Sequence, residues 1–228
     1  MIQRHDDSPE RDLRDLDTLL ARLPSNPRTR RSTDSRDFVV LVPIVRSGGS
    51  YHLLYEKRAE GIRQAGEICF PGGRAEEGDA SLEETAVRET VEELGVSRDA
   101  VATLGRLDGV LTHWGGVIEV IVGTIEEEAL RGAVVNPTEV ESTFLVSFAA
   151  LLQRPPERYV LRVEVQPEYL DEEGRSHVLF PAKELGLPPR YWKPWAGPAH
   201  SVYVYRHGNE TIWGITAEIT RRLLELID

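Results

Sequence analysis

With one cysteine in 228 residues, Cys69, the chain can form no internal disulfide and no cysteine-rich zinc site. The six histidines are equally unhelpful as ligands, since His5, His52, His177, His200 and His207 show no ligand spacing and His113 stands in a turn. Long apolar runs are missing too, and the opening MIQRHDDSPERDLRDLD is too charged for a secretory signal. The expectation is a cytoplasmic protein without a membrane partner. Positive charge is in deficit, with 27 Lys and Arg against 38 Asp and Glu and a formal net charge of −11. Broad binding to nucleic acid depends on surplus cations neutralising phosphates, so no nucleic-acid partner is expected. No repeat of fixed period occurs.

What is present reads as an ordinary globular composition, 40% hydrophobic and 29% charged, long enough for one good core with decoration. Residues 1–37 are polar and broken by Pro24 and Pro27, and LRDLDTLLARL (13–23) predicts one short helix in an otherwise mobile arm. The domain proper is expected over 38–228. FVVLVPIVR (38–46) and YHLLYEKR (51–58) flank Ser47 to Ser50 as a hairpin, and Gly66 to Gly73 reads as a loop. Strands are expected at 101–111 and 117–125, a strand running into a helix at 143–152, a last strand at 201–208 and an amphipathic helix over 211–228. Eight prolines between 153 and 200 rule out a long regular element there, and this segment is read as an elaborated excursion. Strands mixed with two or three helices predict an α/β or α+β sandwich, with helices on both faces of a mixed sheet.

The chemistry concentrates in FPGGRAEEGDASLEETAVRETVEELGV (70–96). Ser81 with Glu84 three residues later is a capping box, and Gly95 sits where a helix stops. Between them Ala86, Val87, Val91 and Leu94 predict a buried stripe, which would leave Glu89, Glu92 and Glu93 on the opposite face. Like charges three and four positions apart repel, each pair costing roughly 0.2–0.5 kcal/mol on an exposed helix. A divalent cation would relieve that repulsion. Three carboxylates with no useful Cys or His suggest Mg²⁺ or Mn²⁺ rather than zinc. Adjacent Gly72 and Gly73 let backbone groups approach a ligand closely.

Gly73-x5-Asp79-x8-Arg88-Glu89-Thr90-Val91-Glu92-Glu93-Leu94-Gly95-Val96 resembles the Nudix box, G-x5-E-x7-R-E-U-x-E-E-x-G-U with U apolar. Asp79 stands where Glu is usual, one extra residue precedes Arg88, and Thr90 holds a position commonly aliphatic. Upstream, Arg58-Ala59-x3-Arg63-x2-Gly66-x3-Phe70-Pro71-Gly72-Gly73 resembles the signature of Nudix enzymes acting on coenzyme A, one residue short after Arg63. PTEV (137–140) and IWGITAEI (212–219) resemble further segments of that subfamily.

The resemblance implies a Nudix-type α/β/α sandwich that hydrolyses a diphosphate linkage in a nucleotide, splitting coenzyme A or acyl-CoA into 3′,5′-ADP and a 4′-phosphopantetheine. It implies Glu92 and Glu93 as principal metal ligands, Glu89 as a further ligand or water orienter, and the Gly73 carbonyl as another ligand. Arg88 would position the acids. Arg58 and Arg63, with Gly72 and Gly73, are the candidates for substrate phosphates, against the plainer reading of the arginines as surface charge. Glu67 and Glu119 are alternatives for taking the water's proton, although such acids, like Glu139 and Glu141, are more often plain surface. His113 and Trp114 could stack on adenine, but packing is the simpler expectation, and Cys69 reads as a small buried residue. Oligomeric state is unread, a homodimer being compatible with the resemblance. Two rivals stay open: the same chemistry on ADP-ribose or another nucleoside diphosphate compound, and a non-catalytic module that binds a nucleotide and regulates a partner.

Overall fold

In the computed structural model, two antiparallel strands meet at a tight turn where Ser47 pairs with Ser50 and both Gly48 and Gly49 have positive φ. The structure describes residues 3–4, 38–112 and 116–227. The expected helix at 13–23 and the His113–Trp114 turn lie outside them.

In chain order the first unit contains β1 (Gln3–Arg4), β2 (Phe38–Ser47), β3 (Ser50–Arg58), β4 (Ile68–Cys69), β5 (Gly72–Arg74) and helix α1 (Leu82–Leu94). It continues with β6 (Val101–Leu111), β7 (Val117–Ile125), α2 (Glu127–Gly132), β8 (Val140–Ser147) and α3 (Phe148–Gln153). The main sheet runs β1-β8-β3-β2-β7-β6, with β4 beside β3 and β5 beside β2. It is mixed, since β2 and β7 are parallel whereas β2–β3, β3–β8 and β6–β7 are antiparallel.

Alternation along the strands sends side chains to two cores. Val39, Leu41, Leu54, Ile121 and Leu145 face α1, where they meet Ala86, Val87 and Leu94. Val42, Ile44, Leu53, Tyr55, Val120 and Phe144 face the C-terminal helix, where they meet Ala217, Ile219 and Leu223. Each fully buried Leu or Ile contributes about 1.5–3 kcal/mol. The result is the expected sandwich with helices on both faces. Tyr55 spans the second core, stacked on Phe70 and Phe144, with its hydroxyl 2.9 Å from Thr220 Oγ1.

Arg158–Val202 form a second compact unit, and the first is built from the chain on either side of it. The second unit holds β9 (Glu157–Val165) from Arg158 onward, the hairpin of β10 (Glu168–Leu170) and β11 (Ser176–Val178), and the beginning of β12 (Trp195–His207). β9 falls on the β-rich piece RYVLRVEV (158–165) expected within the proline-rich excursion, and its prolines flank the strand without interrupting it.

The C-terminal helix also departs from expectation. Residues 211–228 do not form one helix: β13 (Glu210–Trp213) pairs with β12, and α4 spans Gly214–Leu224. Gly214 at φ +64° breaks the run, while Ile212, inside the expected helix, is fully buried from the strand instead. The Gly66–Gly73 loop likewise carries the short strands β4 and β5. Among the described residues no helix is long and apolar enough to cross a membrane.

Candidate active site

Helix α1 forms where predicted. Ser81 is its N-cap, its hydroxyl accepting from Glu84 N at 3.2 Å, and Gly95 is a left-handed C-cap whose N–H donates to Val91 O. The faces differ from the expectation. Glu93 is only 5% exposed and belongs to the buried side with Ala86 and Thr90, seven and three residues before it. Thr90, at the commonly aliphatic position, donates its hydroxyl to Ala86 O at 2.7 Å, which lets it stay buried. Glu92 points to solvent, and Glu89 lies between these extremes. The three acids therefore form a graded series from core to water, not one solvent-facing array.

Arg88 organises the outer end of that series. Its Nε and Nη2 donate to the two oxygens of Asp79 at 3.0 and 3.1 Å, and Nη2 also reaches the Arg74 carbonyl at 3.0 Å. Nη1 lies 3.0 Å from Glu89 and 3.2 Å from Glu92. Hydrogen bonding to Arg88 first, then the Glu76 N–H, holds the Asp79 carboxyl well below the usual carboxylate range. Thr85 adds a further donor to Asp79 at 2.9 Å. Asp79, although shorter than the usual Glu, thus clamps the arginine that sits on the acids.

The inner end is a pair of buried carboxylates. Glu93 accepts from Gly72 N at 2.8 Å. Glu56, on β3 and 1% exposed, points to the α1 side by the same alternation that places Leu54 there. Its Oε1 accepts from Cys69 Sγ at 3.2 Å. Its Oε2 is buried with no hydrogen-bond partner among the described residues. Burial first, then mutual repulsion with Glu56, raises the proton affinity of Glu93; burial is likewise the main cause for Glu56. Partial burial raises Glu89 too, against the pull of Arg88. Burial and the neighbouring Glu56 push the Cys69 thiol far up, so it remains a thiol that donates and no nucleophile.

The glycines set the approach. A Cβ on Gly73 would stand 2.3 Å from Glu89 Oε1, and one on Gly72 would stand 2.2 Å from the Val39 carbonyl. Both positions need the missing side chain because the acid and the sheet come so close. The loop before β8 docks on the C-terminal end of α1, Asn136 N donating to Glu93 O at 2.8 Å. It carries Glu139, whose charge is felt at Glu56, Glu89 and Glu93.

Other candidates separate clearly. Arg58 Nε donates to the Arg63 carbonyl at 3.1 Å, closing the loop that both share, and the Arg58 charge acts on Glu56. Arg63 is exposed. Glu141 pairs with Lys57 at 2.8 Å on the surface, and Glu67 accepts from Gln64 at 3.2 Å. Glu119, expected as a surface acid, is 5% exposed on β7, in alternation with Ile121 beneath α1. Glu56 was invisible as a candidate inside YHLLYEKR; the available signal was an acid at an inward position of an otherwise apolar strand.

These donors are all oxygens, which suits a hard divalent ion. Among the described residues no three His, Cys, Asp or Glu side chains already form a closed metal-binding group. Arg88 occupies Glu89 and Glu92, and a Mg²⁺-type site commonly uses one or two carboxylates, several waters and substrate phosphate. The orphaned Glu56 Oε2 is an acceptor that such an ion would satisfy.

The NUDIX domain family model matches residues 35–199. Nudix hydrolase 3 of Caenorhabditis elegans is 35% identical over 65% of this chain and 62% of its own length, so the match spans less than two thirds of that relative. The Nudix hydrolase NudL of Yersinia enterocolitica is 30% identical over 86% of this chain and 84% of its own. The human mitochondrial coenzyme A diphosphatase NUDT8 is 31% identical over 82% and 68%, respectively. Among solved structures, the NUDIX domain of Shewanella oneidensis NrtR complexed with ADP ribose gives a TM-score of 0.41 at 20% identity, covering 54% of this chain and 80% of that one.

Proposed function

The chain belongs to the NUDIX family and is a hydrolase of pyrophosphate bonds, and from that premise we propose that its substrate is coenzyme A or an acyl-CoA. Water adds to one phosphorus, the bridging P–O bond breaks, and the products are 3′,5′-ADP and an (acyl-)4′-phosphopantetheine. The observation that carries this reading is the graded set of carboxylates from Glu92 through Glu89 to buried Glu93, beside the FPGG turn that Arg58 and Arg63 precede. Support for the substrate comes from the R-A-x3-R…FPGG spacing and from NUDT8, whose name states a coenzyme A diphosphatase.

Glu92, Glu93 and Glu89, with the Gly73 carbonyl, would hold a Mg²⁺ or Mn²⁺ ion. When bound, such an ion supplies charge neutralisation at phosphate oxygens and a more acidic water. The chain's own groups do the rest. Arg88, fixed by Asp79, keeps Glu89 and Glu92 from splaying apart. Glu93 is anchored by the Gly72 N–H on one oxygen. Arg58 and Arg63 bring guanidinium groups suited to gripping the substrate's phosphates.

The test is to incubate the protein with coenzyme A, acetyl-CoA and ADP-ribose, with and without Mg²⁺, and to identify products by mass. Release of 3′,5′-ADP is expected. Preferential cleavage of ADP-ribose would move the substrate to the other nucleoside diphosphate class, and nucleotide binding without any cleavage would indicate a regulatory module.

A further inference from the structure

Building on the reading of this site as a divalent-ion centre, we propose that Glu56 is an additional acidic ligand, presenting its buried Oε2 to the ion alongside Glu93. The acid stands on β3, outside the 70–96 segment, and is 1% exposed. One oxygen is taken by the Cys69 thiol at 3.2 Å, while the other has no partner among the described residues. A thiol is a weak donor, and a buried carboxylate left with a bare oxygen is costly. A purely structural role would be served as well by a neutral amide or hydroxyl at this position.

The orphan oxygen lies within the electrostatic reach of the other acids. Glu93, Glu89 and Glu139 all act on the site that Glu56 shares, and one short segment anchors both buried carboxylates, Cys69 holding Glu56 and Gly72 holding Glu93. Two buried carboxylates near enough to repel one another are relieved by a cation or by a shared proton. A divalent ion supplies that charge and fills the lone pairs that protein donors leave open.

The test compares Mn²⁺ binding to the full chain, by calorimetry or by the electron-spin signal of free Mn²⁺, for wild type, Glu56→Gln and Glu93→Gln. Glutamine can still accept from Cys69, so it keeps the structural contact and removes the anionic oxygen. The expectation is that Glu56→Gln weakens Mn²⁺ affinity about tenfold or more, with a metal-free melting temperature equal to or above that of wild type. Wild-type affinity in Glu56→Gln, with Glu93→Gln weakened, would overturn the role of Glu56 alone. Equal affinity in wild type and Glu93→Gln would overturn the metal-centre reading itself. If Glu56→Gln loses its cooperative melt, Glu56→Asp decides: weaker Mn²⁺ binding supports the proposal and unchanged binding overturns it.

Discussion

Asp79 shows how a single residue can act at a distance from the chemistry. Its carboxylate grips Arg88 through two donors, and Arg88 in turn spans Glu89 and Glu92. Replacing it with Asn is expected to free the guanidinium and lower kcat on the order of 10–100-fold, while Asp79→Glu recovers much of the loss; steady-state kinetics on the cleaved substrate measures both. Gly73→Ala tests the approach distance: its Cβ would displace Glu89, so folding should survive while kcat falls about 100-fold. Circular dichroism and kinetics separate those two effects. At this scale the placement of Arg88, Glu89, Glu92 and Glu93 on one helix was legible because an extended spacing pattern carries them. The burial of Glu93 was not, because a polar residue on the Ala86–Thr90 stripe reads as exposed until its partner, a backbone N–H from a distant turn, is known. Glu56 was hidden for the same reason: its neighbours come from β4 and α1, far along the chain.

At the level of elements, α1 was readable from its ends, since capping depends on residues only three or four apart. Ser81→Ala removes a side-chain acceptor for the Glu84 N–H and should cost about 1 kcal/mol, lowering Tm by roughly 2–4 °C in a chain of this size with kcat unchanged; thermal melting checks it. The α4 boundary was harder. Ile212 and Ile215 fit a helical stripe as well as a strand followed by a helix, and only the pairing of Val204 with Trp213 and of Tyr205 with Ile212 decides for the strand. Pairing partners chosen by tertiary structure also explain why β4 and β5 were read as loop: two or three residues have no period to show.

For the whole molecule, the buried acids make stability depend on pH in two opposite ways. Glu56 and Glu93 bind protons more tightly when folded than their usual value of 4.5, so the stability tied to their protonation is full below about pH 4.5 and is progressively lost as pH rises above it. Glu83, held to about 2 chiefly by its hydrogen bonds with Arg106, and Asp79, held low by Arg88, contribute stability above about pH 4 that is lost on further acidification. The metal-free protein should therefore melt highest between these windows, and Mn²⁺ should raise Tm more at pH 8 than at pH 5.5; a pH series of melting curves with Mn²⁺ and with EDTA reads this directly. The layered fold was legible because strand alternation and helix stripes agree over most of the chain; the 153–200 excursion was legible as a segment set apart by its prolines, but the pairing within it was not, because its exposed strands offer no buried face to detect. The most direct test of the central claim is the rate of 3′,5′-ADP release from coenzyme A, measured by mass for wild type and Glu93→Gln with Mg²⁺ and with EDTA. Release by wild type with Mg²⁺, and by neither protein otherwise, is the predicted result; undiminished release by Glu93→Gln, or by wild type in EDTA, would contradict it.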